Sequence, residues 1–154
     1  MEDHDMKKLV FVENIYTYHI DFAGHVSNIV YIQWMEIGRL KLLEELGMPV
    51  HDMMDKFGLL PTLIKTEVRY HKQLFLGDLV RIEVWLSRLR HVSANMEFRF
   101  YNKKGELTVS ACQTGLFIDK DTHQPTILDE KILEGFRAYL DSGKKKNTLN
   151  RILK

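Results

Sequence analysis

Asp21, Gly24, His25, Val26, Asn28 and Tyr31 stand at the spacing D-x-x-G-H-V-x-N-x-x-Y inside the stretch YTYHIDFAGHVSNIVYIQWMEIGRLKLLEELG, residues 16–47. A carboxylate is followed by a small-residue turn at Ala23-Gly24, a histidine, Ser27-Asn28 and then about five turns of helical sequence. The first N–H groups of a helix have no partner within it, and the helix dipole favours negative charge at that end. A carboxylate able to serve as base or nucleophile, next to donors for an oxyanion, supplies the parts needed to attack a carbonyl carbon. Backbone N–H groups around Ser27, Asn28 and Ile29 are the candidate donors. Quieter readings stand beside these. Asp21 can merely cap a turn, Asn28 can cap the helix, and His25 can either protonate a leaving group or hold the loop by a hydrogen bond.

The elements that position these residues are legible in the hydrophobic pattern. Leu9 to Ile20 reads as a first strand. The helix from about Asn28 to Leu46 begins with IVYIQWMEIG, apolar on almost every side, which implies a helix enclosed by the rest of the fold. Gly38 in mid-helix costs up to ~1 kcal/mol relative to Ala, so a close approach to a sheet is expected there. Residues 50–58 read as a short helix or loop. The period then changes to two: Ile64, Thr66, Val68 and Tyr70; Val80, Ile82, Val84 and Leu86; Met96, Phe98 and Phe100 alternate with polar neighbours. Gly77-Asp78 and Asn102 to Gly105 punctuate them, and a fifth strand spans about 107–119. The expected architecture is α+β, one five-stranded antiparallel sheet wrapped around a long central helix. A terminal helix from Asp129 to Leu140, with Asp129 as N-cap, and a basic solvated tail follow.

The motif, with Trp34, Glu36 and Arg39 after it, resembles the hot-dog-fold acyl-CoA thioesterases, in particular the group typified by 4-hydroxybenzoyl-CoA thioesterase. The resemblance runs from about Phe11 to Ile118. It departs from the common pattern at His19, where many members carry Asp, and at Ser27, where many carry Asn. The resemblance implies a hot-dog domain over residues 1–154, with its core at about 9–120 and a C-terminal helix and tail at 126–154. It implies an acyl-CoA substrate and Asp21 as base or nucleophile. Ser27 and Tyr31 are candidate substrate-binding residues, Ser27 through its backbone N–H, and Tyr31, with Trp34 and Met35, lines either the acyl pocket or the core. It also implies a homodimer, or a tetramer built as a dimer of dimers, in which each site is completed by a neighbour. Arg88, Arg90, His91 and Ser93 cluster between two strands. Arg binds phosphates through its planar fork, so this cluster suits the nucleotide end of CoA, or else it is a solvated turn. An acyl-ACP thioesterase and a non-catalytic acyl-CoA-binding module are the alternatives. Glu36 is a reserve carboxylate, with a Glu36–Arg39 ion pair at i, i+3 as its structural role.

The remaining signals exclude more than they add. A net charge of +1 over 154 residues points to neither nucleic acid nor an anionic membrane surface. The single cysteine, Cys112, cannot form an intramolecular disulfide and reads as a buried structural thiol in a reducing cytoplasm. No apolar run reaches the ~18 residues of a membrane helix. The histidines lack metal-ligand spacing, and no phosphate-binding loop, dinucleotide fingerprint or serine elbow is present, so no metal and no cofactor are expected.

Overall fold

The computed structural model describes residues 5–143. The polar start, 1–4, and most of the basic tail, 144–154, lie outside the described residues. Five strands, β1 (Leu9–Asn14), β2 (Leu59–Tyr70), β3 (Leu79–Leu89), β4 (Ser93–Tyr101) and β5 (Leu107–Asp119), form one antiparallel sheet in the order β1-β3-β4-β5-β2. The helix α1 (Asn28–Glu45) packs on one face of it.

Gly38 is where helix and sheet come closest. A Cβ built there would lie 3.1 Å from Val84, 3.2 Å from Phe98 and 3.3 Å from Phe11, three side chains on three different strands. The apolar positions of the alternating strands turn toward this helix: Val80, Ile82, Val84, Phe98 and Phe100 are buried with Val30, Tyr31, Trp34 and Met35. A second cluster joins the latter half of α1, through Leu42 and Leu43, to Leu86, Met53 and the helix α3 (Glu130–Arg137). α2 (Val50–Asp52) runs into a π turn over Met53–Phe57, which Gly58 ends in the left-handed conformation.

Four expectations need correction. The first strand ends at Asn14, not Ile20. Residues Thr17–His19 instead form a 3₁₀ turn, because the Nδ1 of His19 accepts the Tyr16 N–H at 3.0 Å and draws the chain back on itself. In β2 the period-two pattern fails at Ile64, which is 60% exposed. A bulge between Leu63 and Lys65 leaves it the extra residue, opposite no partner on β5. The first half of α1 is not enclosed on every side: Ile29 and Ile32 are exposed, since one sheet covers one flank of a helix. The terminal helix stops at Arg137, because the chain beyond it is drawn to β3: Tyr139 O accepts the Leu86 N–H, and Asp141 N–H donates back to Leu86 O, each at 2.8 Å. Its N-cap is as expected, with Asp129 Oδ1 accepting the Ile132 N–H.

Candidate active site

The Asp21 turn is a closed loop at the head of α1. Ile20 and Val26 form an antiparallel bridge at its neck, and the Asp21 N–H donates to His25 O at 3.0 Å. Gly24 N–H closes the turn onto Asp21 O, and Gly24 takes φ +84°, a conformation that side chains with a Cβ rarely adopt. The carboxylate bends back on its own loop: Oδ1 accepts the Ala23 N–H at 2.9 Å, whereas Oδ2 meets no donor among the described residues. One oxygen therefore anchors the side chain and the other is open to a substrate or a water.

The helix behind it starts at Asn28, with Ser27 as N-cap. The Ser27 N–H is not available as an oxyanion donor, because it already donates to His19 O at 2.9 Å. The N–H groups of Asn28 and Ile29 meet no acceptor among the described residues, and the Val30 N–H donates to Ser27 O. The three expected donors are therefore two. Among the described residues no side chain caps this end of the helix, so Asn28 is not held in the capping role.

His25, Asn28 and Tyr31 line a cavity of about 740 Å³, together with Tyr70, His71, Lys72, Phe75, Asp78 and the 102–106 turn. Asp21 itself does not line it. The His25 Nδ1 lies 3.5 Å from Val26 O, too long for a firm hydrogen bond, and its ring meets Phe75 edge-on. Tyr31 is a core residue with edge contacts to Trp34, Tyr70 and Phe100, and burial pushes its phenol pKa far up. The second wall of this cavity escaped sequence reasoning. His71, 2.8 Å from the Ser110 hydroxyl, and Lys72, paired with Glu106, come from strand ends and turns without periodicity to mark them.

A second cavity of about 430 Å³ lies between the latter half of α1, the β2, β4 and β5 strands and α3. Arg90, His91 and Ser93 line it, on the tight turn where the Arg90 N–H donates to Ser93 O. Arg88 does not; it lies on β3 opposite Asn95, beside a bulge. The lining is otherwise aliphatic apart from Glu36, Arg39, Thr62 and two phenylalanines. The expected Glu36–Arg39 ion pair does not form. Arg39 instead donates to Gln113 Oε1 at 2.6 Å, and Gln113, fully buried, donates to Thr66. Burial lowers the Arg39 pKa, against the raising effect of the Glu36 charge. Glu36 is exposed and has no ion-pair partner among the described residues. Among the described residues none lines both cavities, so these residues do not join the His25 side of the Asp21 loop to the basic turn.

Cys112 corrects another expectation. It is half-buried on β5, in register with Glu67 on β2 and Glu97 on β4, and burial together with the Glu97 carboxylate pushes its thiol up to about 11. Among the described residues, no cluster of His, Cys, Asp or Glu is placed to hold a metal, and no helix is long and apolar enough to cross a membrane.

One five-stranded antiparallel sheet with a helix across its face, and a carboxylate turn feeding that helix, defines the hot-dog fold. The chain belongs to the thioesterase-like superfamily, whose family model matches residues 15–136. It is similar to the curated Bacillus subtilis (strain 168) protein named "Putative acyl-CoA thioesterase YneP", with 30% identity over 119 residues, 77% of this chain and 86% of that protein. Among solved structures it resembles the DHNA-CoA thioesterase of Staphylococcus aureus, at a TM-score of 0.75 and 24% identity over 96% of this chain and 95% of that one. It also resembles Slr0204, a 1,4-dihydroxy-2-naphthoyl-CoA thioesterase from Synechocystis, at a TM-score of 0.77 and 11% identity over 85% of this chain and 96% of that one.

Proposed function

We propose that this protein hydrolyses acyl-CoA thioesters, yielding the carboxylic acid and free coenzyme A. The observation that carries this reading is the Asp21 turn. Among the described residues its carboxylate keeps one oxygen unbonded, and the α1 that follows it opens with two N–H groups lacking acceptors, in a chain of the thioesterase-like superfamily. Asp21 Oδ2 either takes a proton from the attacking water or attacks the thioester carbonyl itself. The carbonyl oxygen gathers negative charge as the tetrahedral species forms, and the Asn28 and Ile29 N–H groups offer hydrogen bonds that strengthen with that charge. Collapse of the intermediate breaks the carbon–sulfur bond and releases the CoA thiolate, which takes a proton from His25. On the nucleophilic route the acyl group is left on Asp21 as an anhydride, and water then hydrolyses it to the carboxylic acid and frees the carboxylate.

Arg90, His91 and Ser93 are assigned to the nucleotide end of CoA, with Arg88 beside them, and Ser27 and Tyr31 to the acyl side. Because Tyr31 lines one cavity and Arg90, His91 and Ser93 line the other, a second copy of the chain in a homodimer, or a dimer of such dimers, completes each site. The exposed Ile29 and Ile32 of α1 fit such a contact, and the same reading takes the sheet to curl round α1.

Asp21→Asn tests it. Asparagine keeps an acceptor for the Ala23 N–H, so the loop is retained while the base or nucleophile is lost. Thiol release would be followed with benzoyl, 4-hydroxybenzoyl, acetyl, octanoyl and palmitoyl CoA. Wild-type turnover that falls at least ~100-fold in the variant, a loss of about 2.7 kcal/mol, is the expected result. Equal turnover by the two proteins removes Asp21 from the chemistry, and no turnover on any ester refutes hydrolysis of this substrate class.

A further inference from the structure

His19 is the one buried histidine among the described residues, 8% exposed, and it makes three separate hydrogen bonds. Its Nδ1 accepts the Tyr16 N–H at 3.0 Å. Its own N–H donates to Tyr16 O at 2.9 Å, and its carbonyl accepts the Ser27 N–H at 2.9 Å. The ring is held edge-on between Tyr18, centroid 4.3 Å away, and Trp34 of α1, 5.4 Å away. A ring nitrogen that accepts a hydrogen bond carries no proton, so this geometry places the ring proton on Nε2. The residue thus ties Tyr16, just past the end of β1, to Ser27, the N-cap of α1. Everything between His19 and Ser27 is the Asp21 loop.

We propose that His19 is a positioning residue for the Asp21 site. The Nδ1 contact fixes the 3₁₀ turn that delivers the chain to Asp21. The His19 carbonyl engages the Ser27 N–H, so that, among the described residues, Asn28 and Ile29 carry the open donors at the head of α1. A catalytic carboxylate and an oxyanion site work only when held in register, and a misplacement near 1 Å can cost about 100-fold in rate. Aromatic packing against Trp34 and Tyr18 anchors the turn; the Nδ1 hydrogen bond sets its geometry. This assignment rests on the reading of Asp21 as base or nucleophile.

Two substitutions separate geometry from packing. His19→Asn places an amide oxygen the same number of bonds from Cα as Nδ1 and can accept the Tyr16 N–H, but it loses the ring contacts. His19→Phe keeps a ring against Trp34 and Tyr18 but offers no acceptor. The expected result is a kcat within about 3-fold of wild type for His19→Asn despite a lower melting temperature. His19→Phe should lose at least ~10-fold in kcat with KM nearly unchanged. Amide exchange of Tyr16 reads the contact without activity: protected in wild type and His19→Asn, fast in His19→Phe. A kcat that simply follows melting temperature across the three proteins, a fully active His19→Phe, or a freely exchanging Tyr16 amide in wild type overturns the proposal. If Asp21→Asn is inactive while His19→Phe is fully active, only the role of His19 fails. If Asp21→Asn is fully active, the underlying reading fails and this one goes with it.

Discussion

Replacing Gly38 by alanine sets two known effects against each other. In an exposed helix the change stabilises by about 1 kcal/mol, since glycine forfeits more backbone freedom than alanine on folding. Here the added methyl would meet Val84 at 3.1 Å, Phe98 at 3.2 Å and Phe11 at 3.3 Å, all inside the 3.5–4.0 Å at which carbon pairs attract. None of the three can yield cheaply. Val84 and Phe98 are fully buried, Phe11 is nearly so, and they belong to β3, β4 and β1, so relief requires moving the helix off three strands at once. Overpacking of this kind costs about 1–3 kcal/mol. The balance is a destabilisation of about 1 kcal/mol, which for a chain of this size lowers the melting temperature by about 2–4 °C. Urea unfolding of wild type and Gly38→Ala, followed by circular dichroism, measures it directly, with the midpoint expected to fall at unchanged slope. A variant at least as stable as wild type would show that helix and sheet can part by a few tenths of an ångström at little cost, and the close-approach argument would be wrong.

Two further outcomes follow from buried polarity and from the thiol. Arg39→Met strips the charged donor from Oε1 of the fully buried Gln113 and should cost about 1–3 kcal/mol in urea unfolding, with Arg39→Met/Gln113→Leu recovering much of the loss; a neutral single variant would mean that Gln113 finds another donor. Cys112, its thiol raised to about 11, should react with iodoacetamide at pH 8 at least ~100-fold more slowly in the folded protein than in the urea-unfolded chain, where the group returns to about 8.5; equal rates would show that the strand environment does not hold the proton.

The elements best read from sequence were those where one physical demand dominates. β3 alternates because one of its faces packs on α1, so Val80, Ile82, Val84 and Leu86 all lie fully buried where period two puts them. The Asp21 loop was legible because a turn with positive φ calls for Gly24, and because a carboxylate before a helix start is an arrangement of residue types rather than of distant contacts. The bulge at Ile64 was not legible, since a single inserted residue inverts the pattern without changing composition. Nor was the partner of Arg39: helical spacing offered Glu36, but Gln113 lies 74 residues away in the chain and only the folded sheet brings it near. The cavities share that difficulty. Their walls come from strand ends and turns whose sequences carry no period, so which residues face one another depends on the register of five strands.

The attachment of residues 139–141 to Leu86 has a consequence for how the chain comes into being. β1 covers the outer edge of β3 only as far as Val84, and the next stretch of that edge is covered by Tyr139 and Asp141. Alongside, the Lys7 N–H donates to Ala138 O at 2.8 Å, so the beginning of the described chain also waits on its end. During synthesis at about 5–20 residues per second, the edge of β3 at Leu86 stays open for roughly 3–11 s before Asp141 exists to close it. Residues 139–141, made well after β3, are therefore the ones that cover this stretch of its edge. A nascent chain stalled short of Ala138 leaves that stretch of strand edge unpaired beside the aliphatic cluster of Leu86, Leu42 and Met53, a template on which a neighbouring chain can pair.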